Sequence, residues 1–385
     1  MQEWRKGGRL RIAYTADNYA ARRLIIGKIR GAKYIRIFSL NRFIFFFIDV
    51  LRKIGFKLDK QYSYFANTCF GIFVKGEAVK CIHFFNQISL SSSLNWISQF
   101  ETALPRYKTF NTRIIKTIAD KHCKAILPLS KCAYNIALNR LTHFPKYKNE
   151  IVQKMFVLHP PQELLLNNII DKKKNDKLTF VFVGNDFFQK GGMELLSVFE
   201  KFNCKLLLII ISRMNVNDFV TRSTVEHKKQ ALDFFVKNSS WLNFYNGLPN
   251  NEVLEIIKKS DIGLLPTKAD TYGYSVLEMQ AAGVPVISTN VRALPEINNN
   301  ECGWLIPVSK NEIGEALYSN EQELSNLCRE IENGLYSIIG DIISEYETSG
   351  IDFIRKKGQL CLERISKEHN PADYENFLEK IIKGI

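Results

Sequence analysis

The chain has 385 residues, 46% of them hydrophobic, and carries 53 Lys and Arg against 39 Asp and Glu, a formal net charge of +14. That length predicts about two or three domains with sizeable buried cores. The eight Cys, at 69, 81, 123, 132, 204, 302, 328 and 361, include no Cys-x-x-Cys pair and have no His cluster beside them, which argues against a zinc site and for reduced thiols in a cytoplasm. Residues 1–8 are polar with no apolar stretch behind them, and no run of roughly 18 apolar residues occurs, so neither a secretory signal nor a membrane span is expected.

In chain order, residues 10–14 read as a first strand and 34–39 as a weaker second. Residues 41–56 set Phe43, Phe45, Phe46 and Phe47 beside Arg42, Arg52 and Lys53. That segment fits a helix lying in a membrane interface, or a buried helix with snorkelling basic ends. Residues 66–74, 78–85 and 96–100 read as further strands. His83 lies inside the second of these, where a lone His is either packing or catalytic. Residues 112–123 are amphipathic, and 125–129 form a short strand opening into a helix that Ser130 would cap. Residues 155–158 run into His159-Pro160-Pro161. The charged run 171–177 marks a boundary. Strands follow at 178–183, 206–211 and 241–245, and 311–385 read as mostly helical. Strands alternating with helices predict parallel sheets.

The charge is uneven along this order. Residues 1–160 hold 28 Lys and Arg against 8 Asp and Glu, a charge of +20, and 161–385 hold 25 against 31, a charge of −6. An anionic partner is expected for the first half. No nucleic-acid recognition motif is present, so a membrane surface or lipid-linked substrate is preferred to nucleic acid.

The most informative stretch is 261–297. An apolar run at 262–265 leads into Asp270-Thr271-Tyr272-Gly273-Tyr274-Ser275, then an alanine-rich helical segment containing Glu278, then a second apolar run at 284–287. In open α/β sheets such a strand–turn–helix places its turn at the ligand-binding edge, and the first amides of the helix suit an anion such as a diphosphate. Two acids eight residues apart would grip hydroxyls on either side of that anion, as a nucleotide sugar requires.

The string Asp270, Tyr272-Gly273-Tyr274, Glu278-Met279-Gln280-Ala281-Ala282-Gly283-Val284-Pro285-Val286, followed by Leu294-Pro295-Glu296, resembles the signature of the retaining glycosyltransferases of family 4, also called group 1. That signature carries Glu where Asp270 stands and Gly where Thr271 stands. Upstream, Val183-Gly184-Asn185 and Lys190-Gly191 resemble the family's Val-Gly-Arg…Lys-Gly string, with Asn185 replacing the Arg. The resemblance is strong over about 178–310 and weaker before it. It implies the GT-B fold: α/β, two doubly wound Rossmann-like domains with parallel sheets facing across a cleft. The expected divisions are an acceptor-side domain at 1–165, a donor domain at 176–365, and a helix at 366–385 crossing back toward the first.

The resemblance also implies roles. Donor contacts would come from Gly184, Asn185, Lys190, Arg213, Gly247, Leu248, Asp270, Thr271, Tyr272, Gly273, Tyr274, Ser275 and Glu278. Lys190 would neutralise the diphosphate, with Lys268 or Arg213 compensating for the missing Arg. Asp270 would hold sugar hydroxyls and Glu278 ribose hydroxyls. Asp270, Glu278 and Lys190 form the expected catalytic set with Glu101, which follows the strand at 96–100. His83, Glu101 and Ser130 are the acceptor-side candidates. The family's Gly-rich first loop is replaced by Thr15-Ala16-Asp17-Asn18. No Asp-x-Asp motif stands at a strand end, so metal-independent chemistry is expected. No cofactor is expected beyond the donor itself, a UDP- or GDP-linked sugar.

The implied activity is retaining transfer of a sugar to a growing surface glycan of lipopolysaccharide, capsule or exopolysaccharide type, on a lipid-linked acceptor. The expected location is cytoplasmic, peripheral on the inner membrane face. Two other readings keep the fold: a nucleotide-sugar epimerase or phosphorylase, and a non-catalytic nucleotide-sugar-binding scaffold. The second is motivated by Asn185 and the lost Gly-rich loop.

Overall fold

A computed structural model describes residues 10–15, 19–69, 72–73, 79–90, 93–104, 112–172, 175–202, 206–217 and 220–384. The expectations for 1–8, for Ala16 to Asn18 and for parts of 66–74 and 171–177 lie outside the described residues. The chain divides into two units, Met1–Pro161 with Asn370–Ile385, and Gln162–His369.

The first unit runs β1 (Arg11–Tyr14), α1 (Tyr19–Leu24), β2 (Lys33–Arg36), β3 (Phe38–Ser39), α2 (Asn41–Lys53), α3 (Asp59–Asn67), β4 (Thr68–Cys69), β5 (Ile72–Phe73), β6 (Cys81–Phe85), β7 (Ile88–Ser89), β8 (Trp96–Phe100), α4 (Thr112–Ala119), β9 (Cys123–Pro128), α5 (Lys131–Leu141) and α6 (Pro145–Val152). Its main sheet is parallel with order β2-β1-β6-β8-β9. Numbered within the sheet this is 2-1-3-4-5, a doubly wound order whose switch point lies between β1 and β6. The strands β6, β8 and β9 are buried on both faces, as a sheet covered by helices on each side requires, while the edge strand β2 exposes Lys33 and Arg36. One face packs Phe84, Trp96, Ile114, Ile115 and Ile118 together. The other packs Ile12, Ile97 and Leu127.

The second unit runs β10 (Leu178–Val183), α7 (Gly192–Phe199), β11 (Leu206–Ile211), α8 (Val225–Lys237), β12 (Leu242–Tyr245), α9 (Asn250–Lys259), β13 (Ile262–Leu265), α10 (Tyr274–Ala281), β14 (Val286–Thr289), α11 (Leu294–Ile297), β15 (Trp304–Ile306), α12 (Glu321–Ser349) and α13 (Asp352–Glu368). The sheet order is β12-β11-β10-β13-β14-β15, all parallel. That is the 3-2-1-4-5-6 order of a dinucleotide-binding fold, with its switch point between β10 and β13. The last helix, α14 (Pro371–Lys383), belongs to the first unit and adds Tyr374, Leu378 and Ile382 to its core.

Several local expectations are corrected. Of the strand expected at 66–74, Ala66 and Asn67 instead end α3, and the Thr68 hydroxyl donates to the Tyr64 carbonyl where β4 begins. Residues 155–158 run beside β9, with a bridge from Met155 to Ile126 and the amides of Phe156 and Leu158 donating to the Ile126 and Pro128 carbonyls. Strand β15 was not anticipated, being three residues without a sustained period. Helix α2 is not buried: Ile48 is inside, while Phe46 and Phe47 are 65% and 62% exposed. Among the described residues no helix is long and apolar enough to cross a membrane.

Candidate functional site

At the switch point of the second unit, the loop leaving β10 lies against the loop leaving β13. Lys190, from the first, donates from Nζ to Asp270 Oδ2, from the second, at 2.5 Å. Asp270 Oδ1 accepts the amides of Tyr272 at 3.1 Å and Gly273 at 3.0 Å. Burial pushes the Asp270 carboxyl up, but the Lys190 ammonium and these two amides outweigh it and hold the group below the ordinary carboxylate range. Asp270 is therefore a fixed anion that closes its own turn.

The glycines of the strings have physical reasons. A Cβ on Gly184 would stand 2.7 Å from Lys190 Cδ, so the lysine stem crosses the strand end only over a bare backbone. Gly273 has φ 92° and opens α10; a Cβ there would lie 2.5 Å from Leu294 Cδ2. The downstream Leu294-Pro295-Glu296 thus braces the Gly273 turn through Leu294.

The two loops are stapled together by Lys268 and by two residues that the sequence reading missed, Gln189 and Glu194. Gln189 Nε2 donates to the Ala269 carbonyl and the Lys268 amide donates to the Gln189 carbonyl, both at 2.9 Å. Lys268 Nζ donates to Glu194 Oε2 at 2.5 Å and to the Phe188 carbonyl at 3.2 Å. The Lys268 and Glu194 side chains are 3% and 7% exposed, against 18% and 13% for Lys190 and Asp270. Burial pushes the Glu194 carboxyl up, and Lys268 outweighs it to hold it below its ordinary value. Lys268 is therefore committed to an internal pair and does not stand in for the missing Arg. The partners lie 74 to 80 residues apart in the chain, so no local pattern announces them.

The other donor-side candidates line the same strand ends. Asn185 is exposed, and its carbonyl accepts the Asn215 amide at 2.9 Å. Arg213 follows β11 and Gly247 follows β12; a Cβ on Gly247 would stand 3.1 Å from Arg213 Cγ, so the two are neighbours. Leu248, Thr271, Tyr274 and Ser275 are partly buried, and Tyr272 is fully buried with its ring 5.4 Å from that of Tyr274. Glu278 sits one turn into α10 with 8% exposure.

The acceptor-side candidates are mostly structural. His83 lies in mid-β6, and its Nε2 is 3.0 Å from Gln99 Oε1. Gln99 donates to the Tyr374 hydroxyl at 2.8 Å, and that hydroxyl donates to the Leu24 carbonyl at 2.6 Å. Burial pushes the imidazole down to about 3 against a smaller opposing effect of the Gln99 contact, so it is neutral and too weak a base to accept a proton near neutrality. Ser130 is fully buried and its Oγ accepts the Ala133 amide at 3.0 Å as the cap of α5. Glu101 is partly buried just beyond β8, and its amide donates to Asn86 Oδ1 at 3.3 Å. A cavity of about 250 Å³ at the β1/β6 switch point is lined by Tyr14, Thr15, His83, Asn86 and Gln87. Among the described residues no three His, Cys, Asp or Glu side chains gather as metal ligands.

Residues 167–329 match the family model described as "Glycosyl transferases group 1". An uncharacterized 41.2 kDa protein in the cps region of Klebsiella pneumoniae is 25% identical over 179 residues, 45% of this chain and 46% of that one. The chain spans less than half the length of the curated relatives it matches. A solved glycosyltransferase from Rickettsia africae has a TM-score of 0.58 at 11% identity, covering 98% of this chain and 99% of the other. An Anabaena protein solved in complex with UDP has a TM-score of 0.53 at 10% identity, covering 79% of each chain. The signature is seated at the switch point of a 3-2-1-4-5-6 sheet and the family match runs through it, so residues 167–329 are similar to the group 1 glycosyltransferases, and the chain has the GT-B fold.

Proposed function

We propose that this protein is a retaining, metal-independent glycosyltransferase that moves a sugar from a nucleoside diphosphate to a growing surface glycan on a lipid-linked acceptor. The observation that carries this is the Lys190–Asp270 pair at the β10/β13 switch point. One Lys190 hydrogen goes to Asp270, and the ammonium has two more to offer to phosphate oxygens. The first-turn amides of α10 add the positive end of the helix dipole. Together they would stabilise the leaving diphosphate as charge develops on it.

Asp270 already accepts three hydrogen bonds, which leaves room for about one more on a carboxylate. Its role is therefore to fix the turn and Lys190 while accepting a single sugar hydroxyl. Glu278 would hold the ribose hydroxyls. The cps-region relative supports a polysaccharide product, and the Anabaena neighbour supports UDP as the carrier.

The test is transfer of labelled sugar from UDP- and GDP-sugars to lipid-linked glycans, with the anomeric configuration of the product read by NMR. Retained configuration in wild type, and product formed about 100- to 1000-fold more slowly by Lys190→Ala, is expected. Tight donor binding with no transfer to any acceptor would favour the scaffold reading, which the exposed Asn185 in place of a cation motivates.

A further inference from the structure

Eight of the nineteen large apolar side chains exposed among the described residues lie between Leu40 and Phe56. They are not scattered. Phe43, Phe46, Phe47, Val50, Leu51 and Ile54 follow one another at spacings of three and four and share one side of α2. The opposite side is anchored: Ile48 is buried, Phe45 stacks edge-on to Tyr62 at 5.1 Å, and Asn41 Nδ2 donates to the Phe65 carbonyl at 2.7 Å. The helix is thus held to its unit by one face and presents a continuous aromatic stripe with the other. Patches of this kind mark interaction surfaces.

The charge around the stripe selects the partner. Lys53 and Lys57 are exposed at its C-terminal end, Arg52 lies over the Tyr62 ring at 5.1 Å on the anchored side, and Asp49 is the exposed acid of the helix. Residues 1–160 as a whole carry +20. Two copies meeting through this unit would repel, whereas an anionic surface would attract both. Thirteen residues of helix reach only about 20 Å, too short for a hydrocarbon core of about 30 Å. A short helix with an aromatic face and basic flank lies in the interfacial plane.

From these features we infer that α2 is a membrane-insertion element: it seats Phe46, Phe47 and Ile54 among the acyl chains of an anionic bilayer while Lys53 and Lys57 meet the headgroups. It locates the proposed lipid-linked acceptor at a bilayer surface but does not depend on donor chemistry.

The experiment is sedimentation of the full chain with vesicles of phosphatidylcholine mixed with phosphatidylglycerol, and of phosphatidylcholine alone, at low and high salt. Wild type is expected to partition onto the anionic vesicles and to weaken with salt and without phosphatidylglycerol. The triple variant Phe46→Ser/Phe47→Ser/Ile54→Ser is expected to partition at least about tenfold more weakly with an unchanged melting temperature, since these side chains are exposed. Should the triple variant unfold, Phe47→Trp takes its place, with a blue-shifted emission on anionic vesicles expected. Wild type left in the supernatant, equal partitioning of the variant, or unshifted tryptophan emission overturns the inference. So does a light-scattering dimer that the triple variant dissociates without any vesicle binding, which would assign the stripe to a second copy. No nucleotide sugar is present, so failure here leaves the proposed transfer standing, and failed transfer leaves this result standing.

Discussion

Polar side chains cluster at the switch points of both sheets, with different fates. In the second unit they face one another across two loops and end in a partly exposed pair, Lys190–Asp270, above a sealed one, Lys268–Glu194. In the first unit they face inward: His83 joins Gln99 and Tyr374, and Ser130 caps a helix. The two lysine pairs have the same 2.5 Å separation, so geometry does not distinguish them. Exposure does. A charge whose remaining hydrogens reach the surface can take a ligand, whereas a charge enclosed with its partner holds loops together.

The largest effect that sharpens this contrast comes from the sealed pair. Lys268→Met leaves Glu194 as an unpaired buried carboxylate and is expected to cost about 3–5 kcal/mol in denaturant unfolding. Adding Glu194→Gln should recover a large part of that loss; a single variant as stable as wild type would make the inner pair dispensable.

Lys190→Ala is expected to act the other way, on chemistry more than on folding. Removing one preformed stabiliser of the leaving group should lower kcat/KM by about 100- to 1000-fold. A similar loss in Asn185→Ala would show instead that the exposed Asn carries the phosphate.

His83 gives a pH signature. An unfolded histidine titrates near 6.5, while burial holds this one at about 3. As pH falls below 6.5 the unfolded chain takes up the proton first, so stability declines between those values by up to about 1.4 kcal/mol per unit. His83→Asn should lose that part of the slope. Identical slopes would place the imidazole in a polar setting and reopen a catalytic role.

The smallest effect is at Ser130. Ser130→Ala should cost about 1 kcal/mol as a lost cap and leave turnover unchanged. Lost turnover at unchanged stability would return Ser130 to the acceptor side.

The parts legible in the sequence were those with local cause. Strands β10, β11, β13 and β14 are largely buried, and their apolar runs can be seen without the fold, whereas β12 carries exposed Asn243 and Tyr245 and β15 has three residues. The order Asp270, Gly273, Glu278 is local too, because a turn, its closing acid and the following helix are neighbours in the chain. The rest depended on distant partners. Lys268 could have served as a surface cation until Glu194, 74 residues earlier, enclosed it. Gln189 carries no pattern of its own. The aromatic segment at 41–56 was legible as amphipathic, but which face turned inward was fixed by Tyr62 and Phe65 in the next helix.

The central claim is that Lys190, fixed by Asp270, holds the donor diphosphate. The most direct measurement is the melting temperature of the purified protein against UDP-, GDP-, ADP- and CMP-sugars, repeated with Lys190→Ala and Glu278→Ala. Ligand bound to the native state raises the melting point by mass action. A rise with one donor that both variants lose is the predicted result; a rise of the same size in Lys190→Ala would contradict the account.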